Sequence, residues 1–372
     1  MKHRKIDAAV FYGTSAELIK LWPVIEALEE RTSVSLLTTN QQPNELRELE
    51  KRLGLGSILH LRSPHKSNLT SKFRVLPWLV AVMVQSVWRL RLLKKISKKR
   101  NRELLVLVHG DTMTCVVGAL AARITRCDVA HIEAGLRSHD WRNPFPEEID
   151  RIITARLAKF HFAPDEVAVK NLDGRGGEIV NTNGNTARDS LRIMQNRIES
   201  MHNHRPFTLV SLHRAELLGN EKVLANTIKE LVTASQEHHL VMVIDALTRS
   251  TLTANNLYDK IQNSKIEVHE KMAYPDFLEF VIGAERVVTD SGGLQEECGF
   301  LEIPCLVHRK ATERFDGIGN TARLSMWEIG AIEGFISMDI DQSPNNGQTR
   351  KLSDGNSPTN VIIQALSDFE LL

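Results

Sequence analysis

Short polar clusters in this 372-residue chain combine residue types that bind anions with types that move protons. Asp290-Ser291-Gly292-Gly293-Leu294-Gln295-Glu296-Glu297 packs the most chemistry into the fewest positions. A Ser-Gly-Gly turn entering a helix presents backbone N–H groups and a hydroxyl to an anion, at the positive end of the helix dipole. Glycine at 292 and 293 leaves no β-carbon to hold a phosphate off the backbone. Glu296 or Glu297, in the first helical turn, can reach a ribose diol. An ordinary glycine turn with an acidic helix start satisfies the same pattern.

Carboxylates form a second set. His109-Gly110-Asp111-Thr112 and His131-Ile132-Glu133-Ala134-Gly135-Leu136-Arg137 follow two successive apolar runs, and Pro144-Phe145-Pro146-Glu147-Glu148 leads on to Asp150 and Arg151. Asp111, Glu133 and Glu147 are therefore expected to share a crevice. Crowded carboxylates raise one another's pKa, which prepares one to take a proton and another to give it. The local alternatives are a cap by Asp111 on the helix starting near Thr114, and a cap or an Arg151 partner in Glu147. Gly13-Thr14-Ser15-Ala16-Glu17 with Lys20, and His213-Arg214-Ala215-Glu216, complete the set. His213 beside Arg214 suits a diphosphate, or proton donation onto a leaving phosphate. The histidines do not pair at ligand spacing on one helix, so no metal site is read.

Elements of a particular kind must position these groups. Apolar runs at Ala8–Tyr12, Val34–Thr38, Leu104–Val108, Val129–Ile132 and His161–Ala163 alternate with helical stretches at Ala16–Glu30, Asn44–Leu53 and Thr114–Ile124. That rhythm predicts βαβ units in a doubly wound parallel sheet, where ligands collect at the carboxyl ends of the strands. It restarts at Phe207–Leu212 and continues through Leu240–Ile244, Ile266–Val268, Arg286–Thr289 and Cys305–His308. The fold class is α/β, with two Rossmann-like domains facing a cleft. The boundaries fall at 1–186, 187–358 and a final helix over 359–372, after the Gly/Asn/Ser-rich Ser343–Pro358.

Lys+Arg 47 against Asp+Glu 46 leaves a formal net charge of +1, which gives no global nucleic-acid footprint. Cys115, Cys127, Cys298 and Cys305 lack metal-ligand spacing and read as reduced core thiols of a cytoplasmic protein. The first apolar run is too short for a signal segment. Residues 76–102 stand apart, because the apolar Leu76–Trp88 runs into eight basic residues between Arg89 and Arg102. That apolar part falls short of the roughly 18–20 residues a bilayer span needs. One reading is a helix packed on the sheet with a solvated basic end; the other is a peripheral membrane contact.

In order along the chain, these motifs resemble the non-hydrolysing UDP-N-acetylglucosamine 2-epimerases. The residues that carry the likeness are His109–Thr112, His131–Arg137, Pro146–Arg151, Gly184-Asn185-Thr186, His213-Arg214, Asp290–Glu297 and Thr312-Glu313-Arg314. The resemblance implies a glycosyltransferase-B-like fold whose C-terminal helix crosses back onto the N-terminal domain. It implies that UDP is eliminated as the carbon 2 proton leaves, giving a glycal, and then re-adds with inversion at carbon 2, with no cofactor. It places Asp111, Glu133, Glu147 and His213 as catalytic. Gly13, Lys20, Arg151, Arg214, Ser291, Gly292, Gly293, Glu297 and Arg314 fall to UDP binding. The partner is then the UDP-sugar, not nucleic acid, and the expected assembly is a homodimer serving surface-polysaccharide synthesis.

Departures from the family pattern are local. Ser15 and Ala16 stand where the family has arginine and proline, which removes a charge-assisted contact of roughly 1.5–3 kcal/mol. Gln41-Gln42 and Asp245-Ala246-Leu247 replace segments that resemble a second, regulatory UDP-sugar site, so that site is expected to be absent or altered. A glycosyltransferase with a nucleotide-sugar donor and a lipid-linked acceptor is the competing reading, on Ser15 and on the basic apolar segment. A catalytically inactive sugar-nucleotide sensor is the third.

Overall fold

A computed structural model describes residues 5–62, 72–140, 145–197, 206–312, 317–338 and 357–372. The chain divides into two compact units, Met1–Ile193 with Gly355–Leu372, and Met194–Asp354. Of the segment Ser343–Pro358, only Ser357 and Pro358 lie within the described residues.

The first unit begins with β1 (Ile6–Tyr12), α1 (Ser15–Glu29), β2 (Val34–Thr38), α2 (Pro43–Leu53) and β3 (Ile58–His60). The long α3 (Lys72–Lys99) then leads into β4 (Glu103–His109), α4 (Met113–Thr125) and β5 (Asp128–Ile132). Next come α5 (Glu147–Leu157), β6 (Phe160–Ala163), α6 (Glu166–Asn171), β7 (Glu178–Asn181) and α7 (Ala187–Arg197). The strands pair in parallel in the order β3-β2-β1-β4-β5-β6-β7. Every residue of β1 is buried, as a central parallel strand covered on both faces requires. The strand order reverses between β1 and β4, so the loops after these two strands flank the switch point where such sheets take ligands.

The second unit follows the same plan. It opens with β8 (Thr208–Ser211), α8 (Ala215–Leu218), α9 (Glu221–Ala234) and β9 (Leu240–Ile244). α10 (Ala246–Ala254), α11 (Tyr258–Gln262), β10 (Glu267–Glu270), α12 (Tyr274–Gly283) and β11 (Arg286–Thr289) come next. α13 (Gly292–Phe300), β12 (Cys305–Val307), β13 (Ala322–Leu324) and α14 (Ala331–Ile336) complete it. Its parallel sheet runs β10-β9-β8-β11-β12-β13 and reverses between β8 and β11, beside His213 and Asp290-Ser291.

The last helix, α15 (Pro358–Asp368), belongs to the first unit. The Thr359 N–H donates to Asp189 Oδ2 at 2.8 Å, and the Ile6 N–H donates to the Leu371 carbonyl at 2.9 Å. The two units meet inside α7, after Ile193. The start of α7 is tied to the first unit by Ser190 Oγ, which donates to the Ile19 carbonyl at 2.5 Å. β3 and β13 had no counterpart among the sequence-read strands, because each is only three residues long and lacks an apolar run to mark it.

α3 has two different sides. Trp78, Val82, Ser86 and Leu90 are fully buried, and Trp78 Nε1 donates to the Thr39 carbonyl at 3.1 Å. Leu76, Val80, Val84, Trp88, Leu92 and Ile96 are 40–66% exposed. The outer side is therefore not the polar surface that a helix simply packed on a sheet would show.

Candidate functional site

In the first unit the site is built at the ends of β1, β4 and β5. Gly13 ends β1 where Thr39 and Thr114 meet, their hydroxyls 2.8 Å apart. A β-carbon on Gly13 would lie 2.2 and 2.3 Å from those two hydroxyls, so glycine is required here by side-chain packing. Thr14 caps α1, and the Gly13 and Thr14 N–H groups both donate to Glu17 Oε2 at 2.9 Å. Glu17 Oε1 accepts from Thr112 Oγ1 at 2.5 Å. Burial raises the Glu17 pKa against these hydrogen bonds, which lower it. One buried glutamate thus locks the loop after β1 to the loop that carries Asp111.

Asp111 does not cap α4, which begins after Thr112 with no side-chain cap. It pairs with Arg151, Oδ2 to Nη2 at 2.5 Å. Arg151 also lies 3.5 Å from Glu148, which accepts from Arg137 Nε at 2.5 Å and from the Ser138 N–H at 3.0 Å. Burial raises the Glu148 pKa, but the Ser138 N–H and the two guanidiniums hold it below the usual carboxylate range. Glu148, not Glu147, is therefore the neighbour of Arg151 on α5.

The crowding expected among Asp111, Glu133 and Glu147 takes a different membership. Asp150 is 6% exposed, and its pKa rises to about 7 through burial first, then the charges of Asp111 and Glu147. Asp150 Oδ2, Glu147 Oε2 and Thr154 Oγ1 are buried without a hydrogen-bond partner. Buried polar groups in folded proteins are nearly always paired, so these three atoms along α5 are ones that a water or a ligand would satisfy. Asp150 was named from the sequence but given no acid/base role; its signal was the three-residue spacing from Glu147, which puts both on one helix face.

Glu133 has other company. It takes φ +61°, a left-handed conformation that costs a glutamate roughly 1–2 kcal/mol. Lys20 Nζ donates to its two oxygens at 2.9 and 3.1 Å, and the Asn185 amide also donates to it. His109 Nδ1 lies 3.6 Å away. Burial pushes the His109 pKa down to about 3 and the His131 pKa down to about 4, so both rings are neutral at physiological pH. The charges of Glu133 and Arg151 act on His131 in opposite directions, both smaller than the effect of burial.

In the second unit the loops after β8 and β11 are joined by a buried carboxylate. Asp290 accepts from the His213 N–H at 3.0 Å and from the Arg214 N–H at 2.8 Å. His213 Nδ1 stands 3.7 Å from Asp290 Oδ1, with the ring 44% exposed. Ser291 caps α13 by accepting from the Leu294 N–H at 3.4 Å, and a β-carbon on the exposed Gly293 would lie 3.9 Å from Ser291 Oγ, an ordinary contact. Glu297 accepts from the Tyr274 hydroxyl at 2.9 Å; burial raises its pKa to about 7, Tyr274 opposes this and Glu296 adds to it. Tyr274, 23 residues away, could not be paired with Glu297 from spacing. Asp245 caps α10, and burial of its carboxyl is outweighed by the Thr248 hydrogen bonds and the His213 charge, which hold its pKa low.

The sequence-read residues thus fall into two sets. Gly13, Lys20, Asp111, Glu133, Glu147 and Arg151 belong to the first unit, and His213, Arg214, Ser291, Gly292, Gly293 and Glu297 to the second. Arg314 lies outside the described residues. Among the described residues no group of three or more His, Cys, Asp and Glu has a geometry that could hold a metal ion.

Comparison with known proteins supplies the context. The family model for UDP-N-acetylglucosamine 2-epimerase matches residues 85–359. A UDP-N-acetylglucosamine 2-epimerase of Methanocaldococcus jannaschii is 35% identical over 82% of this chain and 84% of the relative. The structure of the UDP-GlcNAc 2-epimerase of that organism superposes with a TM-score of 0.78 at 28% identity, covering 98% of this chain and 100% of the other. A second structure, in complex with UDP-GlcNAc and UDP, gives a TM-score of 0.69 at 28% identity over 98% of this chain and 100% of the other. Matched in sequence and in fold along most of its length, the chain belongs to the UDP-N-acetylglucosamine 2-epimerase family.

Proposed function

We propose that the chain inverts carbon 2 of UDP-N-acetylglucosamine, or of a close UDP-2-acetamido sugar. The proton on carbon 2 is taken by a carboxylate while the bond from carbon 1 to UDP breaks, giving a glycal and free UDP. UDP then re-adds at carbon 1, and a proton is delivered to carbon 2 from the opposite face. No electrons leave the sugar, so the scheme needs proton carriers and not a hydride acceptor. The observation that carries the reading is the cluster at the start of α5, where Asp111, Glu147 and Asp150 interact electrostatically beside Arg151. A carboxyl that burial and neighbouring charge make ready to change its proton near neutral pH, beside further carboxylates, is the arrangement that acid/base exchange requires.

In this scheme Asp111, Glu133 and Glu147 exchange protons with the sugar, and His213 serves the diphosphate side. Ser291, Gly292 and Gly293 hold phosphate at the start of α13, with Arg214 alongside, and Glu297 holds the ribose. Lys20 and Arg151 supply positive charge, Gly13 lets the first loop close, and Arg314 assists at the diphosphate. The M. jannaschii relative solved with UDP-GlcNAc and UDP supports this substrate class. A cytoplasmic homodimer serving surface-polysaccharide synthesis completes the proposal. The test is proton NMR of UDP-N-acetylglucosamine incubated with the protein in deuterated water. Deuterium should enter carbon 2 as the epimer accumulates, and release of UDP without deuterium at carbon 2 would refute the reading.

A further inference from the structure

Glu297, assigned above to the ribose, has a partner on another helix. Gly293 and Glu297 are four residues apart on α13, so they share a face and stand about 6 Å apart along the helix axis. A phosphate at the start of α13 thus places the ribose attached to it within reach of Glu297. Tyr274 meets this carboxylate from the first residue of α12, where Pro275 in the same turn fixes the backbone. Buried Leu278 and Val281 hold α12 on the core, and the Phe280 ring packs edge-on to Phe207. α13 is held separately, by the Ser291 cap and by buried Leu294 and Cys298. The Tyr274 hydroxyl therefore donates to Glu297 Oε1, at 2.9 Å, from a fixed direction.

The sense of this hydrogen bond sets the state of the carboxyl. Burial and the Glu297 charge push the Tyr274 phenol well above its ordinary pKa, so it remains a donor across the physiological range. Burial and Glu296, on the same helix, draw Glu297 toward its neutral form, and Tyr274 opposes both. The phenol thus favours the ionised carboxylate, which accepts and cannot donate. Among the described residues Tyr274 is the sole hydrogen-bond donor to the Glu297 side chain, and no cation pairs with it. Both residues are only partly buried, so a ligand can approach the second oxygen, Oε2. A strut between two helices would not need a carboxylate crowded by a neighbouring glutamate, because two neutral groups would make the same bond without a charge to desolvate.

On the nucleotide-binding reading of α13 proposed above, we infer that Tyr274 is a positioning residue for the ribose. By holding Oε1 it aims the Glu297 carboxylate at the diol and makes the site select a uridine ribonucleotide over its 2′-deoxy counterpart. A site built to accept from a hydroxyl discriminates strongly against an analogue that lacks one, because its own acceptor is then left unpaired.

The test is calorimetry of the full chain with UDP and with 2′-deoxy-UDP. Wild type should prefer UDP by at least about tenfold. Tyr274→Phe should weaken UDP binding about three- to thirtyfold and 2′-deoxy-UDP binding less, so that the ratio of the two affinities contracts. The two ligands carry the same diphosphate, so its titration cancels in that ratio. In wild type the preference for UDP should grow as pH rises through about 7 and Glu297 ionises, and in Tyr274→Phe the midpoint should move to higher pH. In the epimerase assay the loss should fall on KM with kcat near wild type, because the ribose is held alike before and during bond breaking. Glu297→Gln should lose the preference by itself, and adding Tyr274→Phe to it should change the ratio no further. A Tyr274→Phe protein that keeps the wild-type ratio and midpoint, or that weakens both ligands equally, overturns the inference and leaves Tyr274 a strut. Wild-type protein that does not bind UDP at all overturns the nucleotide-binding reading, and the inference with it.

Discussion

Lys20 and Glu133 lie 113 residues apart, yet the lysine ammonium sits 2.9 and 3.1 Å from the two carboxylate oxygens. The pair joins α1 to the end of β5, and its side chains are only 22% and 11% exposed. Lys20→Met should therefore leave a largely buried carboxylate without its counter-charge and destabilise the protein by about 1–3 kcal/mol. Adding Glu133→Gln should recover part of that loss. Urea unfolding of the two single variants and the double variant measures the coupling, and strict additivity would show that the contact carries no energy.

Asp111 faces Arg151 and adds to the field that raises the Asp150 pKa. In the proposed scheme Asp111→Asn should cut turnover by about two to four orders of magnitude, the usual range for losing an acid/base group. UDP affinity, read by calorimetry, should stay within a fewfold of wild type, and the fold should be intact by circular dichroism. Full turnover would reduce Asp111 to an ion-pair partner of α5.

Asp150 gives a pH prediction with a definite sign. Its pKa is raised in the folded protein to about 7 from an ordinary value of 3.8, so between these limits the folded state binds more protons than the unfolded one. Stability from this group is complete at low pH and is lost as pH rises through about 7. Asp150→Asn should therefore melt a few degrees higher than wild type at pH 8, with the difference shrinking toward pH 4. Glu297, raised likewise to about 7 in the other unit, remains in both proteins and cancels in the comparison. A melting difference that does not depend on pH would mean that Asp150 keeps its ordinary titration.

How far these features were readable follows from their range along the chain. Asp111, Glu133 and His213 could be placed just after strands because the apolar runs mark where β4, β5 and β8 end. Their partners could not be found that way. Nothing local ties Lys20 to Glu133 or Tyr274 to Glu297, because each contact is made by strands or helices far apart in sequence. Asp150 is visible in the sequence, but its carboxylate company is not, because Asp111 reaches it from another strand's end. On α3 apolar residues occur all round the first half, which looks the same in sequence whether one side is covered or open. Only the packing of Trp78 and Leu90 separates the two sides.

Gln42 and Asp245 stand where the family pattern suggests a regulatory UDP-sugar site, and both have local structural work. Gln42 Oε1 accepts from the Ser15 N–H at 3.3 Å, and Asp245 caps α10 through the Thr248 N–H at 2.7 Å. Substrate dependence should accordingly be hyperbolic, with no need for added UDP-N-acetylglucosamine to start the reverse reaction. Initial rates across substrate concentration decide this, and marked sigmoidicity would show that the second site has survived.

Ser15 is the departure with the most direct consequence for binding. It is the first residue of α1, at the positive end of the helix and next to the Gly13 loop, but its hydroxyl is buried without a partner. A serine there has dipole but no charge to offer a diphosphate, whereas an arginine offers a planar, charged fork. Ser15→Arg should therefore bind UDP about ten- to a hundredfold more tightly, unless Arg214 or Lys20 already supplies that charge. Lys20 is committed to Glu133 in this structure, which favours the larger figure. Epimerisation should be preserved or raised, because the substitution adds a diphosphate contact and leaves Asp111 and Glu147 untouched. Calorimetry with UDP and deuterium wash-in at carbon 2 should be run on both proteins. Unchanged UDP affinity would mean the first loop does not face the diphosphate. Tighter UDP binding with no deuterium at carbon 2 in either protein would separate nucleotide binding from epimerisation and count against the proposed reaction.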